Sequence, residues 1–205
     1  MSTDKPTAPS VDGTDLFFGI VASRYNNDLV EALLERVRSE LRAARVAEGA
    51  IKVLRVPGAS ELPYVANMLA QTGEYDCVIA LGLIIAGDTL HHEVIAQSTA
   101  VALQGIAMQT EVPVINGILT TNTRAQAEER VTGGLDRGAE FAHAALEMAW
   151  HHVQLGDYLD ALDEEVARQQ TEDDAAALQD FMEDMGDDED EGDSFGNGRS
   201  PFHKN

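Results

Sequence analysis

The sequence predicts an α/β fold, a three-layer α/β/α sandwich around a four-stranded parallel sheet. Two observations predict it. From Phe17 onward, short β-rich apolar runs alternate with longer stretches whose apolar residues recur at helical spacing, the pattern of strands joined by helical crossovers. At 205 residues the chain is also long enough for one well-buried domain plus an extension.

The elements follow in order. Phe17 to Ser23 reads as the first strand. Asn27 and Asp28 supply N-capping chemistry for a helix to about Val46, along which Leu29, Val30, Leu33, Leu34, Val37 and Leu41 share a face. Ile51 to Val56 is the second strand, ended by Pro57-Gly58. Glu61 to Thr72 is a second helix, tolerant of Pro63 because it falls in the first turn. Asp76 to Leu81 is the third strand, followed by a glycine-containing segment and a helix from His91 to Thr110. Val112 to Leu119 is the fourth strand, and helices over Thr123 to Val131 and Asp136 to Leu155 flank the Gly133-Gly134 break. The crossovers are expected to be right-handed, giving a flavodoxin-like arrangement.

The division expected is a flexible arm over 1–15, a body over 16–155 and an acidic extension over 156–205. The extension holds 17 acidic and 3 basic residues, against 19 and 11 in residues 1–155. Tyr158, Leu159, Leu162 and Val166 mark an amphipathic helix in it, and the last 20 or so residues, after GDDEDEGD, are expected to be disordered. A solvating tail and a partner-binding arm both fit. The net charge of −22 argues against nucleic acid, which is bound through Lys and Arg clusters. No apolar run is long enough to span a membrane and the start is no signal sequence, so a cytoplasmic protein is expected. Cys77, the only cysteine, reads as a buried structural thiol.

In parallel sheets ligands sit beyond the carboxyl ends of the strands. That rule selects Ser23 to Asn26, Pro57 to Glu61, Gly82 to His91 and Asn116 to Thr121. Together they hold an aromatic, carboxamides, a carboxylate, threonines and histidines, which suits an anionic, polyhydroxylated ligand. Gly87, Asp88 and Thr89 precede a helix, where backbone N–H groups favour a phosphate; an ordinary N-cap by Asp88 or Thr89 fits equally. His91 and His92 point about 100° apart on a helix, so one of them can face the strand ends as a general acid–base while the other meets solvent or packing. No cysteine or histidine spacing suggests a metal.

In order, SRYNND, VPGASELP, GLIIAGDTLHHEVI, VPVINGILTTNTRAQAEER and RGAEFAHAALEMA resemble the lumazine synthase family over about Phe17 to Leu155. The resemblance implies condensation of 5-amino-6-(D-ribitylamino)uracil with 3,4-dihydroxy-2-butanone 4-phosphate in riboflavin biosynthesis, without cofactor or metal. Tyr25 matches the aromatic that stacks on the pyrimidine, and Asn26 its neighbour. Ala59, Ser60 and Glu61 match the turn that holds the ribityl chain, and Leu83, Ile84 and Ile85 extend the substrate-binding set. Gly87, Asp88 and Thr89 match the phosphate loop, His91 the proton shuttle and Arg130 a phosphate clamp supplied by a neighbouring subunit. Arg137 stands where lysine is frequent.

Asn116 and Ser60 stand where aromatics are common, and Ala86 where arginine is frequent. These departures bear on affinity more than on the reaction. The family's shared site implies at least a homopentamer, with decamers and 60-subunit shells in some members. An alternative reading is a weakly catalytic or non-catalytic paralogue that binds flavin-like ligands or cargo. A sugar-phosphate enzyme on a similar sheet would want catalytic carboxylates or a lysine at the strand ends, yet the only lysines are Lys5, Lys52 and Lys204.

Overall fold

The computed structural model describes residues 10–186. The chain divides into two compact units, residues 1–156 and 157–205. In the first, β1 (Phe18–Ser23), β2 (Ile51–Val56), β3 (Cys77–Ile85) and β4 (Val114–Thr121) form one sheet in the order β2-β1-β3-β4, every pairing parallel. Five helices accompany the strands among the described residues: α1 (Asn27–Ala43), α2 (Leu62–Ala70), α3 (His91–Thr110), α4 (Arg124–Val131) and α5 (Arg137–Gly186).

The sheet is covered on both faces. Phe18 and Ile20 of β1 and Ile79 and Leu81 of β3 pack with Leu33 and Val37 of α1, Ala127 of α4 and Leu146 of α5. Their neighbours Val21, Val78 and Ala80 point the other way, onto Leu62 and Ala66 of α2 and Leu103 of α3. The period of two along a strand and of 3.6 along a helix thus builds the two apolar layers of an α/β domain.

Several boundaries differ from the sequence expectation. β3 continues four residues beyond Leu81, because the run is buried on both faces and Gly82 keeps strand pairing with Ile118. β4 begins at Val114 rather than Val112, just after Pro113, whose carbonyl still accepts from Val78 N–H. α1 stops at Ala43, and α2 is shorter at both ends, entered through a 3₁₀ turn over Ala59–Glu61. Asn27 and Asp28 do not cap α1; Asn26 occupies the N-cap with φ 53° and makes no side-chain cap bond. Asp88 and Thr89 do not cap α3 either, since its N-cap is Leu90.

The largest difference is α5, which does not end at Leu155 but continues to Gly186. One helical glycine costs about 1 kcal/mol relative to alanine, too little to stop a helix flanked by good formers. In the second unit, residues 157–182 are helical and exposed. The disorder expected of the final residues, and most of the flexible arm, fall outside the described residues. Within 10–15, Gly13 N–H bonds Ala44 O at 2.8 Å and Asp12 pairs with Arg45.

Candidate active site

The chain leaves β1 for β2 on one side, and then crosses to β3 on the other. The carboxyl ends of β1 and β3 therefore flank a topological switch point, where the outgoing loops diverge and leave a crevice. A cleft of about 440 Å³ lies there.

Three loops line it. After β1 come Tyr25 and Asn26, and after β2 come Gly58, Ala59, Ser60 and Glu61. From β3 and the start of α3 come Leu83, Ile84, Ile85, Gly87, Thr89, His91, His92 and Ile95. Tyr25 is 72% exposed, with one ring edge against the backbone of Gly58. Asn26 bridges the crevice, donating Nδ2–H to Leu83 O at 3.1 Å. The left-handed backbone at Asn26 is a conformation that asparagine tolerates better than most residues. Glu61 Oε2 accepts from Gly58 N–H at 2.8 Å, which fixes both the turn and the carboxylate.

Both histidines are among the residues that line the cleft. They occupy the first turn of α3. His91 is exposed, while His92 Nδ1 lies 2.9 Å from Thr89 O, a bond that ties the loop to the helix. Ile95 is the lining residue that lies outside the segments selected from the sequence, while Gly58 falls within the Pro57 to Glu61 turn and His92 was one of the two candidate histidines. The helical spacing of four between His91 and Ile95 was the available signal.

Other expected residues lie apart. Asp88 is exposed and does not line the cleft. Asn116, third in the edge strand β4, accepts Ile118 N–H on its side chain, and no β4 residue is among those lining the cleft. Arg130 donates to Gln126 O at 2.9 Å on α4, and Arg137 pairs with Glu140 at the start of α5. Asp28, at the start of α1, pairs with Arg124 of α4, whose guanidinium holds the carboxyl below its ordinary range.

A groove of about 580 Å³ between α1 and the turn after α4 is larger. Its charged residues Arg36 and Asp136 already satisfy each other through a bidentate pair at 2.7 to 3.0 Å. Among the described residues no group of three or more His, Cys, Asp or Glu could hold a metal ion, and no helix is long and apolar enough to cross a membrane.

An aromatic face, a fixed carboxylate and two imidazoles at a switch point define an α/β protein with a small-molecule site. Residues 15–152 match the family model for 6,7-dimethyl-8-ribityllumazine synthase. Proteins of that name from Paracidovorax citrulli and Polaromonas sp. are 42% and 39% identical over 146 residues, spanning 71% of this chain and 93% of each relative. One from Xanthomonas oryzae pv. oryzae is 43% identical over 132 residues, 64% of this chain and 86% of its own. The chain belongs to the 6,7-dimethyl-8-ribityllumazine synthase family.

Proposed function

We propose that the chain condenses 5-amino-6-(D-ribitylamino)uracil with 3,4-dihydroxy-2-butanone 4-phosphate to form 6,7-dimethyl-8-ribityllumazine in riboflavin biosynthesis. The observation that carries this reading is the convergence of Tyr25, Glu61 and His91 from three separate loops on one cleft, within a chain of this family. The pyrimidine's amino group attacks the ketone carbon, water leaves to give an imine, phosphate is eliminated, and the second amine closes the ring with loss of another water.

The protein's part is orientation and proton transfer. Tyr25 stacks on the pyrimidine, with Asn26 and the β3 residues Leu83, Ile84 and Ile85 bounding the same space. Ala59, Ser60 and Glu61 hold the ribityl hydroxyls; Glu61 Oε2 is committed to Gly58 N–H, so Oε1 is the oxygen for this task. Gly87 and Thr89, which line the cleft, take the phosphate end, and Asp88 between them contributes through the loop's backbone and not its side chain. His91, at the start of α3 on the cleft, relays the proton. No cofactor or metal enters the scheme, which works chiefly by holding two reactive partners together.

Asn116, Arg130 and Arg137 do not line their own chain's cleft, which supports a site completed by a second copy. Arg130 then clamps the phosphate of the neighbour's substrate, with Arg137 and Asn116 beside it. The reading includes a closed ring of at least five chains, in the cytoplasm, with decamers or 60-subunit shells as larger forms. The acidic extension serves as a solvating tail or an arm for a further partner.

The test is lumazine formation by the full chain, by His91→Ala and by Arg130→Ala, against an enzyme-free control. Enzyme-dependent product is expected, falling with either change. Mixing the two variants before assembly should recover part of the activity, because some interfaces then join an intact His91 to an intact Arg130. A rate equal to the control from folded, oligomeric protein would overturn the reading in favour of a non-catalytic assembly protein.

A further inference from the structure

We infer that Arg55, on the edge strand β2 and outside the cleft, is the positioning residue for the loop that carries Tyr25 and Asn26. The inference rests on the reading of that loop as the pyrimidine site. Arg55 is mostly buried, its side chain 23% exposed. Its NH2 group donates to Ser23 O at 2.9 Å and to Asn27 Oδ1 at 2.8 Å, and its NH1 group pairs with Glu31 of α1. Ser23 ends β1 and Asn27 begins α1, so one guanidinium fastens both ends of the three residues Arg24, Tyr25 and Asn26.

The loop needs such a fastening. Tyr25 is largely exposed, so its own packing does little to hold the ring. Asn26 sits at φ 53°, a left-handed conformation that asparagine tolerates but that is not its ordinary preference. Two backbone ties run to the same strand end, Arg24 N–H to Val56 O at 2.9 Å and Tyr25 N–H to Pro57 O at 3.2 Å, while the Asn26 side chain bonds Leu83 O of β3. The loop is thereby registered on the end of β2, the strand that also delivers Gly58 and Glu61. Arginine suits the task because its planar fork serves the α1 carboxylate and the loop from two different nitrogens at once; a lysine ammonium reaches one cluster or the other.

The experiment uses the full chain, with Arg55→Lys, Tyr25→Ala and the double variant compared by steady-state kinetics and by hydrogen exchange of the 24–27 amides. Arg55→Lys is expected to raise KM for the pyrimidine by about tenfold, the effect of a modestly displaced contact, while KM for the butanone phosphate and kcat stay within about twofold. In the Tyr25→Ala background the same change should add nothing, since a residue that acts through Tyr25 has no effect once the ring is gone. Exchange should quicken at 24–27 and not in the β2 core.

Unchanged KM and exchange, losses shared equally by both substrates, or losses additive with Tyr25→Ala would each overturn the assignment. If Tyr25→Ala itself leaves the pyrimidine KM unaltered, the site reading fails instead. Exchange then decides Arg55 alone: quickened exchange keeps it as the loop's fastening, and unchanged exchange removes it.

Discussion

Replacing Gly58 by alanine adds one methyl to the wall of the cleft, and the structure shows what that methyl meets. It would lie 3.2 Å from Glu61 Oε2 and 3.2 Å from Tyr25 Cδ2. Gly58 has extended backbone, φ −142° and ψ −173°, which alanine adopts without strain, so any effect must come from these contacts. Comfortable separation begins at about 3.5 Å, and both neighbours must therefore give by a few tenths of an ångström. The exposed Tyr25 ring can swing cheaply, whereas Glu61 is held by its bond to Gly58 N–H. A hydrogen bond to a charged group contributes about 1.5–3 kcal/mol, and weakening part of it at a half-open site costs about 0.5–1 kcal/mol. For a domain of this size that lowers Tm by about 1–4 °C. Catalysis should suffer more than folding, because the same methyl moves the Tyr25 ring and the Glu61 carboxylate, both in the cleft wall, together. A fall in kcat/KM for the pyrimidine of about 5–20-fold is expected, or about 1–2 kcal/mol. Gly49→Ala is the control, since a methyl there meets nothing within 4 Å. Initial rates at varied pyrimidine, with melting curves for both variants, make the comparison. A Gly58→Ala enzyme with kcat/KM within twofold of the parent would refute the reasoning, as would a loss of activity explained by a melting drop several times the one calculated.

Gly117→Ala should strike the fold instead, because its methyl would lie 2.6 Å from Leu81 Cδ2 and 2.9 Å from the Ala80 carbonyl. Such overpacking costs about 1–3 kcal/mol or more, and a melting curve unchanged by the substitution would refute it. Burial pushes the Cys77 thiol far above its ordinary range, with Asp76 adding to the effect. Iodoacetamide at pH 8 should therefore leave the native protein unmodified and label it once unfolded in urea; equal labelling rates would contradict this. Hydrogen bonding from Arg124 holds the exposed Asp28 carboxyl below its ordinary 3.8. A depressed folded pKa means that the pair's contribution is present above the unfolded value and lost as pH falls through the folded one. NMR titration should find Asp28 below 3.8 and moving back toward it in Arg124→Gln; a parent value at or above 3.8 would show that the pair does not form in solution.

Elements whose apolar pattern and punctuation agree were legible in the sequence. β2 ends at Pro57-Gly58 as read, and α3 runs from His91 to Thr110 as read. The two largest differences, at the ends of β3 and α5, both fall at a glycine that does not stop its element. At Gly82 the strand continues because a side chain would lie 3.0 Å from Leu62 Cδ1, so the residue is small for packing against α2 rather than for turning. At Gly156 nothing lies within 4 Å, and the helix passes through. Local propensity cannot separate these cases from a true break, since the deciding atoms belong to distant segments or to none.

The site divides along a physical line as well. The strand-end rule points to four loops, and it treats every strand end alike. The switch point does not: with the order β2-β1-β3-β4, only the ends of β1 and β3 flank the divergence, β2 brings its turn over β1, and β4 lies outside β3. Tyr25, Glu61 and His91 are therefore reachable by reasoning within one chain, while Asn116 and Arg130 are not. A pattern of residues can resemble a complete site even when its members cannot meet in one molecule, because a family's sequence constrains every copy at once. The separation of Arg130 from its own chain's cleft is what the proposed shared site would require, and a single chain does not show where a neighbour would stand.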